Sequence, residues 1–153
     1  MIQTERLMIR AASDTEMREL IAKEPDEGVK AAYGEMLSLS IENPSLREWY
    51  AAWLITLTGG ERVGELCFRG LPADGAVELG CGLLPDFWGK GYATEAVIAV
   101  TEWALKQPGV SRIEAEAEED NLASLRVLEK AGFVPTGERG EEGPRFVWRG
   151  TAP

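Results

Sequence analysis

Residues 85–96 read Pro85-Asp86-Phe87-Trp88-Gly89-Lys90-Gly91-Tyr92-Ala93-Thr94-Glu95-Ala96. Before them, Ala76 to Leu84 is an apolar, strand-like run. After them, Ala93, Ala96, Val97, Val100, Trp103 and Ala104 recur at helical spacing and make one continuous apolar face. Pro108-Gly109 stops that helix. A strand, a glycine turn and a helix start, in that order, build an anion site. The first helical turn carries N–H groups with no intrahelical acceptor, and the helix dipole adds partial positive charge there. Gly89 and Gly91 let the main chain approach a ligand with no Cβ in the way, and Lys90 adds a local cation. The same residues exclude two common phosphate sites. A P-loop needs Gly-Lys followed by Ser or Thr for magnesium, and here Gly91 follows. A dinucleotide fingerprint needs a third glycine where this chain has Thr94, and an acidic residue at the end of a second parallel strand about twenty positions on.

Working outward toward the C-terminus, Arg112 to Glu118 alternates Ile113, Ala115 and Ala117 with Arg112, Glu114 and Glu116, the pattern of a half-buried strand whose charged side faces solvent. Leu122 to Ala131 reads as a helix, with Asp120 or Asn121 as its cap and Gly132 as its stop. Phe133–Glu138 and Pro144–Arg149 form a closing hairpin. Toward the N-terminus, Tyr50–Thr58 and Arg62–Arg69 flank Gly59-Gly60-Glu61, a hairpin signature. Glu27–Ile41 is a helix that must end before Asn43-Pro44, Asp14–Ala22 a shorter one capped by Ser13 or Asp14, and Thr4–Arg10 a first strand. The order β-α-α-β-β-β-α-β-α-β-β predicts a mixed sheet with helices packed on it. No repeat or linker divides the chain, and its 153 residues fit one domain spanning 1–153.

Composition narrows the chemistry. Apolar residues make up 44% and charged residues 27%, enough to bury a core. With 16 Lys and Arg against 26 Asp and Glu, the formal charge is −10, which argues against nucleic-acid or anionic-membrane partners. The chain has no histidine, so Ser-His-Asp and Cys-His catalysis, a histidine base and a His-ligated metal are excluded. Cys67 and Cys81 lie in apolar runs and read as reduced packing residues, with a β-bulge expected where Gly80 and Gly82 flank Cys81. No metal site is expected. Neither a signal peptide nor a membrane span is apparent, which makes the cytoplasm the expected location.

The stretch Trp88-Gly89-Lys90-Gly91-Tyr92-Ala93-Thr94-Glu95-Ala96 resembles motif A of the GNAT superfamily of N-acetyltransferases, in its RimJ/RimL-type branch. About thirty residues on, Asp120-Asn121-Leu122-Ala123-Ser124-Leu125-Arg126-Val127-Leu128-Glu129-Lys130-Ala131-Gly132-Phe133 is similar to that branch's motif B. Thr4-Glu5-Arg6-Leu7-Met8-Ile9-Arg10 is similar to its first strand. The resemblance implies an α/β (α+β) GNAT acyl-CoA N-acyltransferase fold, with a mixed, mostly antiparallel sheet of six to seven strands and about four helices. It also implies transfer of acetyl from acetyl-coenzyme A to a primary amine, by direct attack in a ternary complex.

On that resemblance, acetyl-coenzyme A lies in a splay between the strands Ala76–Leu84 and Arg112–Glu118. Its diphosphate rests on the main chain of Gly89, Lys90, Gly91, Tyr92, Ala93 and Thr94. Leu83 and Leu84 offer backbone groups to the pantetheine, Asn121 an amide, and Ser124 a proton for the leaving sulfur. The tyrosine that many relatives use as acid corresponds to Leu128, which cannot donate one. With no histidine, the base is a carboxylate or a water relay, and Glu78, on the strand entering the turn, is the first candidate. The implied partners are acetyl-coenzyme A and an amine acceptor, either a protein N-terminus or a small cationic amine, with the protein a monomer or homodimer. The helix Glu27–Ile41 would shape the acceptor pocket. Glu118-Glu119-Asp120 and Glu141-Glu142 are either part of it or solvated loops. The alternative reading is a non-catalytic acyl-coenzyme A sensor or interaction module on the same fold.

Overall fold

The computed structural model describes residues 1–149. The strands are β1 (Ile2–Gln3), β2 (Leu7–Ala11), β3 (Ala52–Leu57), β4 (Arg62–Phe68), β5 (Ala76–Leu83), β6 (Arg112–Glu116), β7 (Phe133–Arg139) and β8 (Pro144–Trp148). The helices are α1 (Asp14–Lys23), α2 (Glu27–Glu42), α3 (Arg47–Tyr50), α4 (Tyr92–Leu105) and α5 (Leu122–Ala131). The strands form one sheet in the order β1-β2-β3-β4-β5-β6-β8-β7. Among the described residues β5 and β6 are its parallel pair, joined by the crossover helix α4, and every other pairing is antiparallel.

Local chemistry accounts for the helix ends. Ser13 and Glu16 form a reciprocal capping box at α1, Asp26 caps α2, and the Asn121 side chain caps α5 by accepting from the Ser124 N–H. Among the described residues the sheet has eight strands and there are five helices, more than the sequence suggests, because two short elements depend on distant partners. The two-residue β1 exists through its pairing with Met8 and Ile9. The single turn α3 follows Pro44–Leu46 and is pinned by Arg47, whose Nε and Nη2 both donate to the Ala12 carbonyl, at 3.2 and 2.9 Å.

Each face of the sheet has its own layer. On one, Leu66, Phe68, Val77, Leu79, Ile113 and Ala115 pack under α4 and α5, and Trp49, Trp53, Phe68 and Trp103 form a ring cluster with centroids 4.9–6.2 Å apart. Burying each large side chain of this kind contributes roughly 1.5–3 kcal/mol. On the other face, Ala12, Met17, Ala52 and Leu54 pack against Leu20 of α1 and Met36 and Leu37 of α2. That second layer leaves part of β4, β5 and β6 to polar side chains. Glu114 and Glu116 therefore do not face open solvent as their alternation suggests. Their side chains are 17% and 10% exposed and surround an arginine.

Candidate active site

The parallel ladder between β5 and β6 pairs Ala76 with Arg112, Val77 with Ile113 and Glu78 with Glu114, and stops there. Where pairing would continue, a cavity of about 500 Å³ opens between the strands, within the range of small-molecule sites. Its walls are Leu79–Leu83 of β5, Ala115–Ala117 at the end of β6, Ala93 and Val97 of α4, and Asn121, Ser124, Val127 and Leu128 from the α5 end. Trp88 and Gly89 stand at its edge, so the cavity runs into the glycine turn.

The turn presents a run of unpartnered backbone donors. Gly89 and Gly91 take φ of 75° and 82°, left-handed values that a side chain disfavours. Gly91 is the N-cap of α4 and supplies no side-chain cap. Among the described residues, none of the backbone N–H groups of residues 89–94 donates to a protein acceptor, while Glu95 N–H begins the helical ladder on the Gly91 carbonyl. Lys90 places its Nζ 5.7 Å from the centre of the Phe87 ring.

Strand alternation decides which backbone groups of β5 face the gap. The Glu78 carbonyl accepts from Arg69 N–H and the Leu84 N–H donates to the Val63 carbonyl, so even-numbered residues turn to β4. Odd-numbered Leu79, Cys81 and Leu83 turn to the gap. The expectation for Leu84 is thereby corrected: its N–H is held by Val63 and its carbonyl accepts from Phe87 N–H. Leu83 stays on the gap side, with its carbonyl accepting from the Trp88 indole at 3.0 Å. The expected bulge at Cys81 is also absent, since β4 and β5 stay in register from Phe68–Leu79 to Gly64–Leu83. Cys81 is not a buried packing residue but opens onto the cavity.

Asn121 and Ser124 meet at the cavity wall. Asn121 Oδ1 accepts from Ser124 N–H at 3.1 Å, which leaves the Asn121 amide NH₂ and the Ser124 hydroxyl without partners among the described residues. Leu128 lines the same wall, 8% exposed.

Glu78 is placed differently from the expectation. It does not line the cavity. Its Oε1 accepts from Arg145 Nη2 at 2.9 Å and its Oε2 from Arg69 Nε at 2.7 Å. Arg145 also binds Glu114 and Glu116, at 3.2 and 2.8 Å. Burial works against this guanidinium's charge, but the three carboxylates outweigh it and raise its pKa. The Glu142 backbone N–H and Arg145 hold Glu116 below the ordinary carboxylate range. Burial opposes the same shift at Glu114, where Arg112 and Arg145 prevail.

One further polar group was not singled out in the sequence. On the α2 face, the Tyr33 hydroxyl donates to Glu65 Oε1, and Arg62 Nη2 donates to Glu65 Oε2 at 3.0 Å. Burial, then Glu65, raises the Tyr33 pKa, so the phenol keeps its proton. Glu65 pairs across the ladder with Gly82, and a side chain at Gly82 would meet nothing within 4 Å. Glu65 therefore stands beside open space at the cavity strand, 32 residues from the tyrosine that holds it. The two acidic runs also come together: Glu118, Glu119, Asp120, Glu141 and Glu142 line an open bowl of about 580 Å³ with Arg139, which pairs with Glu119 at 3.1 Å.

Residues 4–134 match the acetyltransferase (GNAT) domain family. The chain is 29% identical over 148 residues to the uncharacterized N-acetyltransferase YoaA of Bacillus subtilis, covering 89% of this chain and 84% of that one. It is 39% identical over 87 residues to YjdG of the same organism, an uncharacterized N-acetyltransferase of which the match spans about half, 52%. Among solved structures, an acetyltransferase from Agrobacterium tumefaciens superposes with a TM-score of 0.72 at 23% identity, covering 97% and 93% of the two chains. A spermidine N-acetyltransferase SpeG variant from Vibrio cholerae does so with a TM-score of 0.72 at 16% identity, covering 94% of each. A domain-family match over most of the chain, on a fold with a gap between parallel strands and a glycine turn at its mouth, shows that the chain belongs to the GNAT family of acetyltransferases.

Proposed function

We propose that this chain is one acetyltransferase domain of the RimJ/RimL-type branch that moves an acetyl group from acetyl-coenzyme A directly to a primary amine, in the cytoplasm and without a metal, as a monomer or homodimer. One observation carries this reading: the unpartnered N–H groups of residues 89–94 lie at the mouth of the cavity that opens where β5 and β6 stop pairing. Acetyl-coenzyme A supplies an acyl group activated as a thioester. The residues fit such a ligand, since an anion-binding turn leads into an apolar slot walled by Leu79, Leu83, Ala93, Val97 and Val127.

Gly89, Lys90, Gly91, Tyr92, Ala93 and Thr94 hold the diphosphate through their backbone. Cys81 and Leu83 offer main-chain groups to the pantetheine, and Asn121 donates through its amide. Ser124 holds a hydroxyl at the cavity wall, passes its proton to the departing sulfur and regains one from water, the same solvent that takes the proton the amine releases. Glu78, engaged by two arginines, keeps the β5–β6 end rigid and is not placed as a free base. The acceptor's proton passes to water. An α-amine, titrating near ~7.7–8.0, is already partly neutral at pH 7.

The acceptor is a cationic amine. Glu65 beside the space at Gly82 and the acidic bowl after β6 favour a positively charged partner, as does the net charge of −10. The same charge disfavours nucleic acid and anionic membrane, and among the described residues no helix is long and apolar enough to cross a membrane. A thiol-release assay with acetyl-coenzyme A and a panel of polyamines and N-terminal peptides tests the reading. Amine-dependent release is expected. Tight coenzyme A binding with no release under any amine overturns it in favour of an acyl-coenzyme A sensor.

A further inference from the structure

The glycine turn is tied by side-chain contacts to residues 4–6, the segment between β1 and β2. Glu95, in the first turn of α4, accepts from Arg6 Nε at 2.7 Å through Oε1. Its Oε2 accepts from the Arg6 backbone N–H at 3.0 Å and from the Thr4 hydroxyl. Arg6 in turn reaches the loop: Nη1 donates to the Lys90 carbonyl at 2.9 Å, and the guanidinium lies 4.5 Å from the centre of the Tyr92 ring. A methyl group at Gly91 would come within 3.3 Å of Arg6 Nη2. One side chain from the other end of the chain thus contacts residues 90 and 92 and leaves little room for a side chain at 91.

We propose that Arg6 and Glu95 form a clamp that holds the turn 89–94 in its ligand-binding shape, making both of them positioning residues for acyl-coenzyme A. This rests on the reading of the turn as the diphosphate site. Nothing packs against Gly89, where a Cβ would meet no atom within 4 Å, and Gly91 brings no capping side chain. Glycines fix their own dihedrals poorly, so a turn with two of them in left-handed conformation needs an outside constraint to present its N–H groups as a set. Arg6 supplies that constraint through its planar fork: one edge grips Glu95, a second N–H takes the Lys90 carbonyl, and the flat face rests on Tyr92. Because Glu95 neutralises Arg6, the clamp acts by shape and not by adding positive charge. A lysine keeps the charge but cannot span these partners.

Calorimetric titration of the full chain with coenzyme A tests this, using wild type, Glu95→Gln, Arg6→Lys, Thr4→Val and, as a control that removes a similar ion pair elsewhere, Arg10→Gln. The clamp predicts that Glu95→Gln and Arg6→Lys weaken binding about tenfold or more, Thr4→Val less, and Arg10→Gln not at all. In the thiol-release assay KM for acetyl-coenzyme A should rise in Glu95→Gln while kcat stays within about twofold. Wild-type affinity in Glu95→Gln overturns the clamp and leaves the diphosphate site standing, whereas a wild-type chain that fails to bind coenzyme A removes the site itself. Arg6→Lys binding as wild type shows that charge suffices and also overturns the clamp. If Glu95→Gln fails to fold, Thr4→Val decides, because it keeps the carboxylate and deletes a hydroxyl that donates to Glu95 Oε2 and accepts from the Leu7 N–H, a turn contact whose loss a thermal melt reads separately. Unchanged binding in Thr4→Val then counts against the clamp.

Discussion

The Ser124 hydroxyl stands at the cavity wall with no protein partner among the described residues, whereas both oxygens of Glu78 are held by Arg145 and Arg69. Ser124 enters through the motif-B resemblance, and the cap beside it is local: Asn121 accepts from the N–H three positions on. Glu78 was misplaced because its role depends on Arg145, 67 residues away, which no periodicity reveals. Tyr33 and Glu65 escaped notice for the same reason. The free hydroxyl of Ser124 at the cavity wall carries a prediction. Ser124→Ala should lower kcat by about 10²-fold or more while leaving coenzyme A affinity unchanged, as read by steady-state kinetics and calorimetry. An unchanged kcat would take the proton-donor role away from it.

At the scale of elements, strand and helix positions follow closely from apolar spacing and capping residues. Leu122–Ala131 has the expected bounds, and Asp14–Lys23 and Ala76–Leu83 differ from expectation by one residue at one end. The gap between β5 and β6 is expected from the family resemblance alone, because it arises where a parallel ladder ends and not from any one residue type. The middle of α4 holds a defect that sequence conceals as well. Thr101 is fully buried, and among the described residues its hydroxyl has no hydrogen-bond partner. A buried hydroxyl left unpaired costs roughly 1–3 kcal/mol, and valine has the same shape without it. Thr101→Val should therefore stabilise the fold by about 1 kcal/mol and raise Tm by about 2–4 °C in a thermal melt. A lower Tm would mean that the hydroxyl has a partner in solution, such as an ordered water.

Across the whole molecule, the sheet separates two chemistries. One layer, α4 and α5 on the larger core, frames an apolar slot with the glycine turn at its edge. The other, α1 and α2, leaves the middle strands to Glu65, Glu78, Glu114, Glu116 and their arginines. Under the proposed function the acyl donor occupies the slot and the amine comes from the carboxylate side of the same sheet. In the proposed function the main chain of residues 89–94 grips the diphosphate while Cys81 and Leu83 line the path of the tail. Backbone amide NMR during titration with coenzyme A reads both at once. The largest shifts should fall on the Gly89–Thr94 amides, with Cys81, Leu83 and Ser124 following. Saturable binding that leaves those amides unmoved and shifts another surface would contradict it.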